Sequence, residues 1–234
     1  MKRTCNQMDT EEYNSLIFDI WQSGKINIAH PIQQLPPLPL LGNKRKDSVA
    51  ILGMNPSYTK EDAVNSLDCL PNDASIEKLL VAQKRNHEEY RYFKQINKFF
   101  DEIGILSERL WFADLFPIRH TNQTEVIDFL AENMELKRKL ENLFIDVLLS
   151  SNVSMCVVLN AKASDYIRLA LSEYLQPKPI LSEPRSHYRL GKDSLNRIPI
   201  IFAGMITGAG QMDKYSKLRL KSEIIDLDKL ATTI

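Results

Sequence analysis

Residues 48–58 read Ser48-Val49-Ala50-Ile51-Leu52-Gly53-Met54-Asn55-Pro56-Ser57-Tyr58. A short apolar run containing the β-branched Val49 and Ile51 stops abruptly at Gly53, and Asn55-Pro56 follows. This pattern predicts a buried strand that ends in a tight loop. Pro56 restricts the backbone of Asn55 to extended or turn conformations. In open α/β sheets, binding and chemistry collect just past the carboxyl ends of such strands. The stretch therefore supplies both a fold class and a first candidate side chain, the carboxamide of Asn55.

Working outward, three further segments have the same form. Residues 110–116 (Leu-Trp-Phe-Ala-Asp-Leu-Phe) run into Pro117, residues 153–159 into Asn160, and residues 198–203 (Ile-Pro-Ile-Ile-Phe-Ala) into Gly204. Helical spacing of apolar positions fills the intervals: about 75–103, 124–150, 163–175 and 214–225. A first helix is expected over residues 10–22, with Thr10 as its cap and Gly24 at its end. A proline-bearing arm follows over 31–43. Segment 177–197 reads as irregular with a short hairpin. The alternation predicts an α/β fold, a three-layer α/β/α arrangement around a central four-stranded parallel sheet. Parallel strands put four polar or glycine-containing endings on one edge, so one composite site is expected there.

The chain has 234 residues, 44% of them hydrophobic and 26% charged, and its thirty basic residues balance thirty acidic ones. Net charge thus gives no argument for a nucleic-acid, membrane or acidic partner. Locally the balance shifts: residues 178–221 hold nine Lys and Arg against three acids, clustering that suits phosphate contacts. Cys5, Cys69 and Cys156 are far apart and lack zinc-like spacing, which fits reduced thiols and a cytoplasmic setting. The N-terminal residues lack the apolar core of a signal peptide. No apolar run approaches the roughly 20 residues of a membrane span, so no membrane association is expected. The sequence has no His-x-x-x-His, paired-cysteine, Walker, Gly-x-Gly-x-x-Gly or Gly-x-Ser-x-Gly motif. It therefore implies no metal and no cofactor, and gives no support to esterase chemistry.

Gly53-Met54-Asn55-Pro56 resembles the first motif of the uracil-DNA glycosylase superfamily, in its single-strand-selective and mismatch-specific branches. Asp114-Leu115-Phe116-Pro117 resembles the second-strand ending of related members. The resemblance covers roughly residues 45–225. It implies a uracil-DNA glycosylase-like α/β domain over 45–234, with residues 1–44 forming an N-terminal helix and proline-rich arm packed on it. It further implies that Asn55 positions the attacking water and that Tyr58 bounds a base pocket. The chain departs from the family in two places. Ser57 stands where a glycine is usual, and 204–213 carries no His-Pro-Ser segment.

On this reading Asn55 is the candidate catalytic group. Gly53, Met54, Tyr58, Asp114, Asn160, Thr207, Gly208 and Gly210 are the candidate substrate contacts. Each has a plainer alternative. Asn55 also suits a turn that caps itself, Asp114 suits satisfaction of loop N–H groups, and Asn160 suits a helix N-cap. Thr207-Gly208-Ala209-Gly210 is either a phosphate-binding turn or a simple strand-to-helix connection. Asp213 is expected to cap the closing helix. His120 or His187 is a candidate to replace the missing family histidine. Three functions remain open: a DNA-glycosylase-like protein that releases a flipped uracil or modified base, a catalytically silent nucleic-acid or nucleotide-binding module, and an enzyme of free nucleosides. DNA or a nucleotide or base ligand is the expected partner.

Overall fold

The first strand forms as its sequence demands: β1 (Val49–Gly53) has Val49, Ala50, Ile51 and Leu52 all buried. Burial on both faces is the mark of a parallel strand in the middle of a sheet. Its partners are β2 (Leu110–Asp114), β3 (Met155–Leu159), β4 (Leu175–Gln176), β5 (His187–Leu190) and β6 (Ile198–Ala203), arranged in the order β2-β1-β3-β6-β5-β4. These come from a computed structural model, which describes residues 8–23, 35–41, 47–56, 74–176, 187–190, 198–207 and 210–232. Strands β2, β1, β3 and β6 form the parallel core, flanked by helices. Ile51 aligns with Val157 and Val157 with Ile201, so one stripe of β-branched side chains crosses three strands.

The sheet is wider than the four strands predicted. Strand β5 pairs antiparallel with β6 and β4 antiparallel with β5. The chain between β3 and β6 thus returns to cover an edge of β6 that would otherwise present unpaired N–H and C=O groups.

The chain divides into two compact units that interleave in sequence. The first draws on Met1–Asn43, Met54–Glu89 and Asp114–Ser150, the second on Lys44–Gly53, Tyr90–Ala113 and Ser151–Ile234. In the first unit the helix Thr10–Gln22 packs against the helices Ile76–Glu89 and Met134–Leu149, and the helix Gln123–Glu132 packs against Met134–Leu149. The first of these is capped by Asp9, whose carboxylate accepts from Glu12 N at 2.8 Å, one residue earlier than the Thr10 cap expected. Asn14 ties Leu40 to this helix through both its amide nitrogen and its oxygen, at 3.0 and 2.7 Å. The described part of the proline arm is thereby anchored.

The second unit holds the sheet and the helices Arg91–Asp101, Ala161–Ala170 and Lys214–Thr232. Its core stacks Val49, Ile51, Met155, Val157, Leu159 and Ile201 from one sheet face on Ile96, Phe99 and Phe100 of one helix and Leu220, Ile224 and Leu227 of another. The alternation of two along the strands and of three to four along the helices is what allows a single face of each to meet.

Two long helical patterns are broken. The 75–103 pattern splits at Tyr90, which has an extended backbone (ψ 131°), where the chain passes from the first unit to the second. The 124–150 pattern splits at Asn133, whose side-chain amide donates to Phe129 O at 2.8 Å and so competes with the helix's own ladder. The helix expected over 163–175 begins at Ala161 and ends by Ala170, which leaves Leu175 to join β4.

Candidate functional site

In the first unit, the segments that follow β1 and β2 are laced together. Phe116 N donates to Met54 O at 2.8 Å and His120 N to Pro56 O at 3.0 Å. Asn55 completes the lacing from the side chain. Its Nδ2 donates to His120 O at 2.7 Å and to Ile118 O and Pro56 O at 3.2 Å each. Three carbonyls around one atom fix that atom as the nitrogen and settle the orientation of the amide. The residue is 8% exposed, and among the described residues its Oδ1 is buried with no hydrogen-bond partner. A buried acceptor in that state is costly, by about 1–3 kcal/mol. It is the atom a bound water or ligand N–H would satisfy.

Asp114 closes β2 beside this lacing. Burial in a low-dielectric setting pushes its carboxyl up from 3.8 to about 7. The phenol of Tyr13, buried on the Thr10–Gln22 helix, is raised first by burial and then by the charge of Asp114. A carboxyl poised near neutrality is matched to proton transfer. Tyr13 was legible in the sequence only as a core position, because nothing local signals that it faces a carboxyl 101 residues away.

Met54 is buried as a packing residue, 1% exposed. His120 is engaged locally: Asn122 N donates to its Nδ1 at 3.1 Å, and its Nε2 lies 3.5 Å from Glu125. Tyr58 and Gly208 lie outside the described residues, as do Ser57, Cys5, Cys69 and the side chain of His187.

In the second unit the strand order reverses between β1 and β3. Ligands of open α/β sheets lodge at such a switch point, beyond the carboxyl ends of the strands. Gly53 ends β1 on one side of it and Asn160 follows β3 on the other. The Asn160 Oδ1 accepts from Ala163 N at 3.1 Å, so the residue is the N-cap of the helix Ala161–Ala170.

Beyond β6, Met212 N donates to Met205 O at 2.7 Å and closes the loop that contains Thr207. Gly204 is pressed against Met212, whose Cγ would lie 2.9 Å from any Cβ at that position. Gly210 has φ +80° with open space around it, so glycine serves the turn's backbone there, not a close approach. Asp213 caps the closing helix as expected, accepting from Tyr215 N at 2.8 Å, Ser216 N at 3.0 Å and Ser216 Oγ at 2.6 Å. Thr207 lines a cleft of about 1010 Å³ together with Gln211, Lys214 and Lys217, and with Arg91 and Lys98 from the Arg91–Asp101 helix. The sequence signalled Lys214 and Lys217 through local charge. Arg91 and Lys98 carry no such signal, because the pattern of their helix advertises only its apolar face.

The structure thus brings Asn55 and Asp114 onto two strand endings joined by hydrogen bonds, and Thr207 into a cationic cleft. Among the described residues no group of three or more His, Cys, Asp or Glu is placed to hold a metal ion, and no helix is long and apolar enough to cross a membrane. Compared with known protein families and with curated proteins, the chain matches none.

Proposed function

We propose that this chain is a DNA-glycosylase-like protein that hydrolyses the N-glycosidic bond of a flipped uracil or other deaminated base. In that reaction a water oxygen bonds to the anomeric carbon as the carbon–nitrogen bond breaks. The base departs with the electron pair, and a proton leaves the water. The observation that carries the reading is the orphaned Oδ1 of Asn55: a neutral acceptor, rigidly aimed because its Nδ2 is held by three carbonyls. Such an atom orients a water by accepting one of its hydrogens, but it is too weakly basic to remove the proton. Asp114, raised to about 7, supplies a base at the neighbouring strand ending. The switch point between β1 and β3 and the resemblance of Gly53-Met54-Asn55-Pro56 to the glycosylase motif support the same reading.

A second reading is a catalytically silent nucleic-acid or nucleotide-binding module. It is favoured by the histidine-free stretch 204–213 and by the engagement of the His120 ring with Asn122 and Glu125. Both then lack an obvious group to stabilise the departing base.

Oligonucleotides bearing uracil, hypoxanthine or xanthine, single-stranded and mismatched, decide between the two. Alkali-labile abasic sites, formed at a rate that rises with pH through about 7 and loses that rise in Asp114→Asn, are the expected result. Folded protein that leaves every one of these substrates intact overturns the hydrolytic reading.

A further inference from the structure

The cleft of the second unit is built from two helices that contribute cations in rows. Arg91 and Lys98 lie seven residues apart on the Arg91–Asp101 helix, a span of roughly 10 Å at 1.5 Å per residue. Lys214, Lys217 and Lys221 repeat every three to four residues on the Lys214–Thr232 helix and line the same space. Two acids share the cleft, and both are occupied. Glu102 pairs with Lys221, whose ammonium also lies 5.0 Å above the Phe99 ring, and Asp213 is consumed in capping. Lys217 donates to the neutral Gln211 Oε1 at 2.7 Å, a partner that carries no charge. Among the described residues Arg91, Lys98, Lys214 and Lys217 form no ion pair within 4 Å, although Lys98 acts on Glu102 through space, in a cleft of a chain whose formal net charge is zero. On the first turns of the two helices, next to Arg91 and Lys214, are two exposed rings: Tyr92 at 40% and Tyr215 at 80% exposure. Neither ring lines the cleft itself, and Tyr92 packs edge-on against Phe93, but each follows a lining cation in the chain. Rows of cations with exposed rings at hand are the means by which proteins hold single-stranded nucleic acid.

We propose that this cleft binds a single nucleic-acid strand, with phosphates on Arg91, Lys98, Lys214 and Lys217 and a base stacked on Tyr215. Each cation displaces a condensed counterion from the strand. The rings distinguish a nucleic acid from other polyanions, since inorganic polyphosphate has no face to stack. The assignment rests on the reading that the chain acts on nucleic acid, but not on catalysis. Its test uses undamaged strands, so failure of excision and failure of binding are read separately.

The experiment is fluorescence anisotropy of a fluorescein-labelled oligothymidylate of about 16 nucleotides, titrated with the full chain at several salt concentrations. Four phosphate contacts give a slope of log affinity against log salt of about −3, at about −0.7 per contact. The variant Lys98→Gln, Lys214→Gln, Lys217→Gln is expected to bring the slope to about −1 and to weaken binding on the order of 100-fold at about 0.1 M salt. Tyr215→Ala is expected to weaken binding about tenfold with the slope unchanged. All four side chains lie at the surface, and circular dichroism establishes that the variants fold. A control that removes as much charge elsewhere, Lys84→Gln, Arg138→Gln, Lys139→Gln, is expected to leave the slope near −3. Equal losses in the control and the cleft variant, no measurable binding by the folded wild type, or polyphosphate competing as well as the oligonucleotide while Tyr215→Ala has no effect would each overturn the proposal.

Discussion

Asp114→Asn is expected to make the protein more stable at mildly alkaline pH and to leave it unchanged in acid. Burial raises the Asp114 carboxyl from 3.8 to about 7, so the folded protein holds that proton more tightly than the unfolded chain does. Below about pH 4 the group is protonated in both states and contributes nothing. As pH rises from about 4 to about 7 the unfolded chain loses the proton and the folded one retains it, so stability falls across that window. Above about 7 the folded protein carries a carboxylate that is largely, though not wholly, withdrawn from water. At about 1.4 kcal/mol per pH unit, the gap amounts to roughly 4 kcal/mol. Asparagine has nearly the same shape and never ionises. Urea unfolding of wild type and variant, followed by circular dichroism at about pH 4, 6 and 8, should give a difference near zero at the first and of the order of 3–4 kcal/mol in favour of the variant at the last. The variant removes only this group's contribution, so the half-buried His87, lowered to about 4 by desolvation, cancels from the comparison. A difference that stays flat across the range, or that favours wild type at high pH, refutes the claim that Asp114 is desolvated in the folded protein.

Two further substitutions test the architecture of the same regions. Asn55→Ala strips the hydrogens from the carbonyls of Pro56, Ile118 and His120 and should cost about 1–3 kcal/mol by chemical denaturation. Asn55→Asp should be worse at about pH 7, because it turns a carboxylate toward those same oxygens. In the second unit the Arg109 guanidinium grips both carboxylate oxygens of Asp228, at 2.6 and 3.1 Å, with both side chains about one-fifth exposed. Replacing Arg109 by Lys loses the fork and should cost about 1–2 kcal/mol, an effect that shrinks as salt is added and is read as a lowered urea midpoint.

The strands were legible because they advertise themselves in one dimension. Val49–Leu52, Met155–Leu159 and Ile198–Ala203 are short apolar runs that stop at Gly53, Asn160 and Gly204, too short for an ordinary helix and rich in β-branched residues. A short hairpin is expected within 177–197, but not that His187–Leu190 would join the sheet, because a mixed surface pattern becomes a sheet strand only by completing β6. The break at Tyr90 was hidden for a similar reason: the apolar spacing runs through it, and the interruption reflects a change of unit, not a change of pattern. Caps at Asn160 and Asp213 could be read, since an Asx residue before a periodic segment has a local cause. The pairing of Tyr13 with Asp114 and of Arg91 and Lys98 with Lys214 and Lys217 could not, since each joins positions about a hundred or more residues apart through the packing of whole elements.

The two roles weighed for Asn55, turn residue and water holder, turn out to belong to two different atoms. A hydroxyl in its place would carry a single hydrogen, whereas the amide's two serve the three carbonyls with one of them shared. A carboxylate would repel them, and glutamine would carry the amide one carbon too far. Only a carboxamide on a short stem donates into the Pro56, Ile118 and His120 carbonyls and still has an acceptor left over. Had Oδ1 been consumed by a backbone N–H, as the Oδ1 of Asn160 is by Ala163, the loop would be fully explained by its own folding. The lacing accounts for the nitrogen alone. Among the described residues the oxygen is buried and unpaired, at a strand ending next to one whose carboxyl is raised to about 7, and that is a penalty the lacing itself does not explain and that a bound water or ligand N–H would relieve.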